Sequence, residues 1–199
     1  MDLNIKWFDD ARNKIDEIHS KDPDVFFQAC LFEIVTEKVD RIPVPYWVFE
    51  AFGHKPEKRN FSYSAMIKGG ESFENHWGTG KSVPNMCNEE TQMWFYYKAV
   101  RFMEIGIEAL HSGQINLMSR FGDSAAGFPG FNRVFTLIRQ YAKEYTRRGI
   151  VLIDAHCSGY ISNGVSLLDY CAYPIRLKEV AGSDHLEAAI TPGYLDSII

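Results

Sequence analysis

The sequence lacks several features that would assign it early to a class of protein. It has no apolar run near the roughly 18 residues of a membrane-spanning helix, and its N-terminus is charged from Asp2 onward, unlike a signal peptide. Lys and Arg are spread along a chain of formal net charge -5, so no basic patch for nucleic acid or an anionic membrane is visible. We therefore expect a cytoplasmic protein without nucleic-acid or membrane partners.

Closely spaced cysteine pairs are also missing. The cysteines are far apart and include no C-x-x-C pair, which argues against a disulfide framework and against a structural zinc site. We expect them to be small buried side chains in a reducing compartment. They are Cys30, Cys87, Cys157 and Cys171.

Two phosphate-binding motifs are present only in part. The stretch HWGTGKSVPN ends like the loop G-x-x-x-x-G-K-[ST], but Asn75 stands where the first glycine belongs and Pro84 interrupts any helix beginning at Lys81. In HCSGYISN, Asn163 replaces the arginine that clamps phosphate in cysteine phosphatases. Neither nucleotide binding nor phosphatase activity is therefore predicted.

What the chain does contain is an alternation of buried strands and amphipathic helices. Apolar residues recur at helical intervals in some segments and form short continuous runs in others. Nearly continuous apolar runs are typical of parallel strands that are covered on both faces. Strands are predicted at 25–35, 107–115, 150–156 and 166–174, and helices at 3–20, 44–52, 88–106 and 132–148.

This alternation predicts a single α/β domain over residues 1–199, with a long loop insertion at about 54–87. Long loops follow the strands and short glycine turns precede them, which favours a (β/α) barrel of the TIM type over a doubly wound sheet. A complete barrel usually needs about 250 residues, so the prediction includes a partial or truncated barrel. An incomplete barrel would leave sheet edges exposed and favour homo-oligomers.

Polar side chains near the ends of the predicted strands form the candidate site, because an unpaired buried carboxylate is costly. Asp154 and His156 are two residues apart and face the same way. Glu108 and His111 are three apart and share a face only if the strand bends, for example at Gly113. The strand-end candidates are Glu33, Glu108, His111, Gln114, Asp154, His156 and Asp169.

Glycoside hydrolysis is one chemistry that such a rim supports. It needs one carboxylic acid to protonate the leaving oxygen and a second carboxylate as nucleophile or base, with aromatic rings stacking on sugar faces. Glu33, Glu108 and Asp154 are the candidate catalytic carboxylates, and this mechanism requires no cofactor. Trp77 lies in the polar insertion with few apolar neighbours in sequence, so we expect it to contact substrate.

A metal-dependent sugar isomerase or hydrolase is the alternative enzyme. A divalent ion would polarise a carbonyl or activate water, with Glu108, His111, Asp154 and His156 as ligands. A non-catalytic carbohydrate-binding partial barrel that completes itself by dimerising is a third hypothesis.

Four segments of the chain are similar to uncharacterised glycoside-hydrolase-like barrel proteins of polysaccharide-degrading bacteria: FFQACLFEIVTEKVDRIPVPYWVFEAFG, GIEALHSGQINLMSR, RGIVLIDAHCSG and LLDYCAYPIRL. The resemblance spans much of the chain and rests on general strand character. It implies a (β/α) barrel with a cleft for a small-molecule or oligosaccharide ligand. We accordingly expect Glu108 as acid/base and Glu33 or Asp154 as second carboxylate. The predicted substrate contacts are Trp77, His111, Gln114, His156 and Asp169.

Overall fold

The computed structural model describes residues 5–172 and 175–190. These residues form helices α1 (Ile5–Lys21), α2 (Tyr46–Ala51), α3 (Tyr63–Ile67), α4 (Glu89–Met103), α5 (Ile115–Ser119) and α6 (Pro129–Tyr145). The strands are β1 (Gln28–Cys30), β2 (Val35–Thr36), β3 (Lys81–Ser82), β4 (Ala109–His111), β5 (Leu152–Ala155), β6 (Ile161–Ser162), β7 (Val165–Ser166), β8 (Tyr170–Cys171), β9 (Ile175–Glu179) and β10 (Leu186–Ile190). Two short 3₁₀ helices span Glu37–Arg41 and Glu71–Phe73.

A four-stranded parallel sheet organises the chain. Its strands lie in the order β1, β4, β5, β8, which is also their order in the sequence. Cys30, His111, Asp154 and Tyr170 stand opposite one another across the four strands. Because side chains alternate between the faces of a strand, this row points to one face of the sheet. The other strands form antiparallel pairs: β2 with β3, β6 with β7 and β9 with β10.

The opposite face of the sheet is apolar and belongs to the main hydrophobic core. Leu110, Ile153 and Ala155 alternate with the polar row and are completely buried. They share the core with buried side chains of α4 and α6, and those two helices pack against each other. Burying a side chain such as Leu or Ile contributes about 1.5–3 kcal/mol, so this face holds the sheet against the helices.

The mixed α/β class is confirmed, and the four predicted strands each contain a strand of the parallel sheet. The parallel sheet comprises four of the described strands, and its closure into a TIM-type barrel stays a prediction. The first strand is much shorter than the predicted range 25–35. Phe32 has a left-handed φ of +37°, which ends the extended chain after Leu31 and lets Val35–Thr36 pair with β3 instead.

The stretch HWGTGKSVPN forms the turn that leads into β3. Asn75 accepts a hydrogen bond from the backbone N–H of Gly80 at 2.6 Å, and Lys81 pairs with Thr36. A phosphate loop requires a helix to begin at this lysine. Here Lys81 starts a strand, in agreement with the incomplete motif.

The insertion at 54–87 is ordered around a bidentate ion pair with α4. The Arg59 guanidinium donates to both carboxylate oxygens of Glu90, at 2.8 and 2.9 Å, and lies 5.1 Å from the centre of the Phe49 ring. Glu90 also accepts the backbone N–H of Ser62 at 2.9 Å. Bidentate pairs of this kind fix geometry as well as adding energy.

We expect Glu90→Gln to loosen the insertion, because an amide cannot accept both guanidinium N–H groups. The expected loss is about 1–3 kcal/mol of unfolding free energy in urea titrations, with faster amide hydrogen exchange around Ser62. The matched control is Glu57→Gln, since Glu57 also pairs with Arg59, at 3.0 Å, but is 64% exposed. Equal effects of the two substitutions would contradict this interpretation.

Candidate functional site

The Asp154 carboxylate is the centre of a polar network on the sheet. The residue is 1% exposed, and Oδ1 accepts a hydrogen bond from Gln28 Nε2 at 2.7 Å. Oδ2 lies 2.8 Å from His111 Nδ1. Gln28 Nε2 also donates to the Tyr170 hydroxyl at 2.9 Å, so side chains from all four parallel strands are joined.

His111 is oriented for proton transfer by this contact. A neutral imidazole that donates from Nδ1 to a carboxylate presents Nε2 as an acceptor, and the carboxylate stabilises the ring when it becomes charged. The centre of the His156 ring lies 4.4 Å from that of His111. His156 is half-buried. The two imidazoles therefore lie between the buried carboxylate and solvent.

Glu33 is the second carboxylate of the site. It is 6% exposed and lies in the turn after β1, where Oε2 accepts the backbone N–H of Gln114 at 3.1 Å. Gly113 has a φ of +63°, and a Cβ at that position would collide with the Glu33 carboxylate. The contribution of Gln114 to this contact is its backbone rather than its side chain.

Cys30 belongs to the same row of the sheet as His111 and Asp154. Burial raises the pKa of its thiol, and the negative charges of Asp154 and Glu33 raise it further. Cys30 stands opposite His111 across the strands. A neutral thiol is nevertheless a poor nucleophile, which argues against a cysteine-histidine hydrolase.

Glu108 lies in a different cluster, at the amino-terminal end of β4. Its carboxylate is 2.9 Å from Arg147 Nη2, 3.3 Å from Arg148 Nε and 3.7 Å from His19 Nε2. Glu108 and His111 are three residues apart on a strand and so point to opposite faces. The structure therefore does not bring Glu108 together with His111 and Asp154.

The side chain of Asp169 also makes structural contacts. Its Oδ2 accepts the backbone N–H of Ile153 at 2.7 Å and lies 3.1 Å from Arg139 Nη2. Tyr170, the next residue, takes the place in the polar row.

Trp77 lies in the insertion and is 38% exposed. Its ring packs edge-on against His76, with centres 4.5 Å apart, and its backbone N–H bonds to the carbonyl of Lys81. These contacts place it on the turn before β3. Its expected contact with substrate stays a prediction.

Three residues on this face of the sheet were not among the sequence candidates: Gln28, Cys30 and Tyr170. Gln28 and Cys30 are polar or small residues two apart in an otherwise apolar run, and that alternation was the available signal. Tyr170 could be found only from strand register, because its neighbour Asp169 is the more obvious chemical candidate.

Of the four candidate metal ligands, Glu108 lies apart from His111, Asp154 and His156. Within residues 5–172 and 175–190, no group of three or more His, Cys, Asp or Glu side chains is arranged to hold a metal ion. The separation of Glu108 from His111 and Asp154 accounts for part of this result.

Comparison of the chain with protein-family models, curated proteins and solved structures gives no match. The resemblance to glycoside-hydrolase-like barrel proteins therefore stays a prediction. In the part of the chain that the structure describes, no helix has both the length and the apolar character needed to cross a membrane.

Lys98 of α4 is buried close to the site. Its Nζ donates to the backbone carbonyl of Leu31 and lies 3.9 Å from the centre of the Phe95 ring. Burial lowers the pKa of Lys98 to about 7, and the charge of Glu33 opposes this effect. Neutral amine is therefore well populated near neutral pH.

We expect Gly113→Ala to displace Glu33 and to destabilise the protein by about 2 kcal/mol or more, because strain at positive φ adds to the collision. Urea denaturation measures this loss. Gly53→Ala is the matched control, since Gly53 has a φ of +77° and open space around its Cα. If both substitutions cost the same, Glu33 does not pack against Gly113 as described.

Lys98→Met should change how stability depends on pH. The pKa of Lys98 is about 7 in the folded chain, against an ordinary value of 10.5. Between these values the unfolded chain binds more protons, so the burial cost is complete below pH 7 and decreases as pH rises, by up to about 1.4 kcal/mol per pH unit. Urea denaturation gives the free energy of unfolding of both proteins across this window. As pH rises, the free energy of unfolding of the wild type should increase relative to that of the variant. A constant difference would contradict the lowered pKa.

Proposed function

We propose that the polar face of the parallel sheet is a hydrolytic site for a carbohydrate-type substrate. The observation that carries the proposal is the network in which Gln28 and His111 bind the two oxygens of buried Asp154. An imidazole that a carboxylate holds in one orientation is a common general acid/base. We assign that role to His111 in place of the expected Glu108.

Asp154 acts through His111 in this mechanism. Its oxygens are already engaged by Gln28 and His111, so its contribution is to hold the imidazole in one tautomer and to stabilise the imidazolium. Glu33 is then the carboxylate that serves as nucleophile or as base for water, while protonated His111 delivers a proton to the leaving oxygen. When Glu33 is the nucleophile, the neutral imidazole takes a proton from the water that hydrolyses the glycosyl-enzyme bond and frees Glu33. When Glu33 is the base, it takes that proton itself and the imidazole is reprotonated from solvent.

Groups suited to binding hydroxyls surround these residues. Tyr170 is 43% exposed, and its hydroxyl is held by Gln28 at the open side of the network. His156 is half-buried beside His111. Phenol, amide and imidazole groups donate and accept hydrogen bonds as sugar hydroxyls do, which supports a polyhydroxylated ligand.

We further propose that the sheet is part of a (β/α) barrel, with the polar row facing the lumen. The strands β1, β4, β5 and β8 are parallel and follow the chain order, as neighbouring barrel strands do. A doubly wound sheet reverses its strand order at the ligand-binding crevice. The described strands of this sheet show no such reversal. An oligosaccharide would then enter from the carboxyl ends of the strands.

Hydrolysis of a panel of aryl glycosides tests the proposed function. We expect turnover of at least one member by the wild-type chain, with His111→Ala and Asp154→Asn each lowering kcat by about 10²-fold or more. Asp123→Asn is the matched control. Asp123 is as buried as Asp154, at 1% exposed, but it binds the backbone N–H of Gly130 at the start of α6.

Failure of the folded wild-type chain to hydrolyse any glycoside would contradict the proposal. So would an equal loss in Asp123→Asn, because that result would trace the effect to folding rather than to the His111–Asp154 pair. Circular dichroism of each variant establishes that the proteins compared are folded.

A further inference from the structure

A cavity lies beside the segment that follows β1. Its volume is about 430 Å³, within the range of pockets for small molecules. Its walls are mainly apolar, which favours an occupant with an apolar body. Prominent wall residues are Phe32, Val35, Val39, Ile42 and Trp94.

Lys98 also lines this cavity and is 3% exposed. Its described hydrogen bond is to the neutral carbonyl of Leu31, and an aromatic ring lies against the amine. A lysine in such surroundings is held partly as the free amine, since apolar walls disfavour the ammonium form. A desolvated neutral lysine is a nucleophile toward carbonyl carbon.

The local chain geometry directs this arrangement. The left-handed backbone at Phe32 turns its ring outward, where it is 47% exposed and lines the cavity, while Glu33 turns inward. Glu33 lies near enough for its charge to act on Lys98. A carboxyl group in that position can exchange protons with an adduct on the amine.

Two further lysines contribute to the cavity wall and are exposed to solvent. Lys38 belongs to the 3₁₀ helix after β2, and Lys81 begins β3. Their positive charges at the rim favour an anionic group on the occupant. The cavity therefore combines apolar walls, a cationic rim and a buried amine.

We propose that Lys98 forms a Schiff base with a small carbonyl compound that carries an apolar body and an anionic group. The neutral amine attacks the carbonyl carbon, a C–N bond forms, and proton transfer gives a carbinolamine. Loss of the hydroxyl as water, with a proton supplied through Glu33, leaves the C=N bond. One water is released for each imine formed, and no oxidant or reductant takes part.

Borohydride trapping of 4-carboxybenzaldehyde at pH 7 tests the proposal on the full-length chain. The hydride reduces the imine to a secondary amine, which peptide mass spectrometry locates. We expect Lys98 to be labelled at least about tenfold more than exposed lysines such as Lys14, because its lowered pKa leaves far more free amine. Labelling of Lys98 at or below the level of Lys14 overturns the proposal.

Two comparisons test the parts of the site separately. Lys98→Met should abolish the site-specific label without unfolding the chain, while Lys143→Met, a surface control, should leave it unchanged. Benzaldehyde should label Lys98 several-fold less than its carboxylated analogue, and Lys81→Met should reduce that preference. Equal labelling by the two aldehydes overturns the role of the cationic rim. The two sites share Glu33, but Lys98 has no part in the proposed glycoside hydrolysis, so glycoside hydrolysis with an unlabelled Lys98 would refute the Schiff base alone.

Discussion

The need to satisfy one buried carboxylate organises the polar face of this protein. Asp154 is almost fully removed from solvent, and an unpaired charge there would cost several kcal/mol. His111 meets that need from the neighbouring strand β4 and Gln28 from β1, and Gln28 extends the network to Tyr170. The contacts depend on strand register, because a shift of one residue would turn Asp154 toward the apolar core.

Glu108 is also a buried carboxylate that needs partners, but its partners are of a different kind. Its partners are two arginines and a histidine at the amino ends of the strands. Cationic partners at close range offset the cost of burying a carboxylate and tie chain segments together. The partners of Asp154 are instead an amide and an imidazole, of which the imidazole can take up and release a proton. The chemical identity of the partners therefore separates a structural carboxylate from a candidate functional one.

Lys98 joins the polar site to the apolar cavity. It donates to Leu31, which directly follows the strand residue Cys30, while Glu33 on the same turn approaches Gly113. The left-handed backbone at Phe32 makes both contacts possible within three residues. Strained residues of this kind persist only where surrounding contacts hold them, and they concentrate at functional sites.

Local pattern was sufficient to predict much of the architecture. The apolar periodicity around α1, α4 and α6 predicted those helices, and the apolar runs predicted where the parallel strands lie. The same pattern exaggerated the first strand, because a run of apolar residues carries no mark of the turn at Phe32. Four of the candidate site residues lie together in the structure: Glu33, His111, Asp154 and His156. His111 contacts Asp154 and His156, and Glu33 packs against Gly113, two residues after His111.

The sequence by itself determined the α/β class, the long insertion and the concentration of acids and imidazoles near strand ends, since each follows from local composition and period. Only the tertiary structure decided which of those groups meet. Pairing between β4 and β5 places His111 opposite Asp154, and pairing with β8 selects Tyr170 rather than Asp169. The same fold pairs Glu108 with two arginines and buries Lys98 at the wall of an apolar cavity. Register and burial depend on contacts between residues far apart in the chain, which no local pattern records.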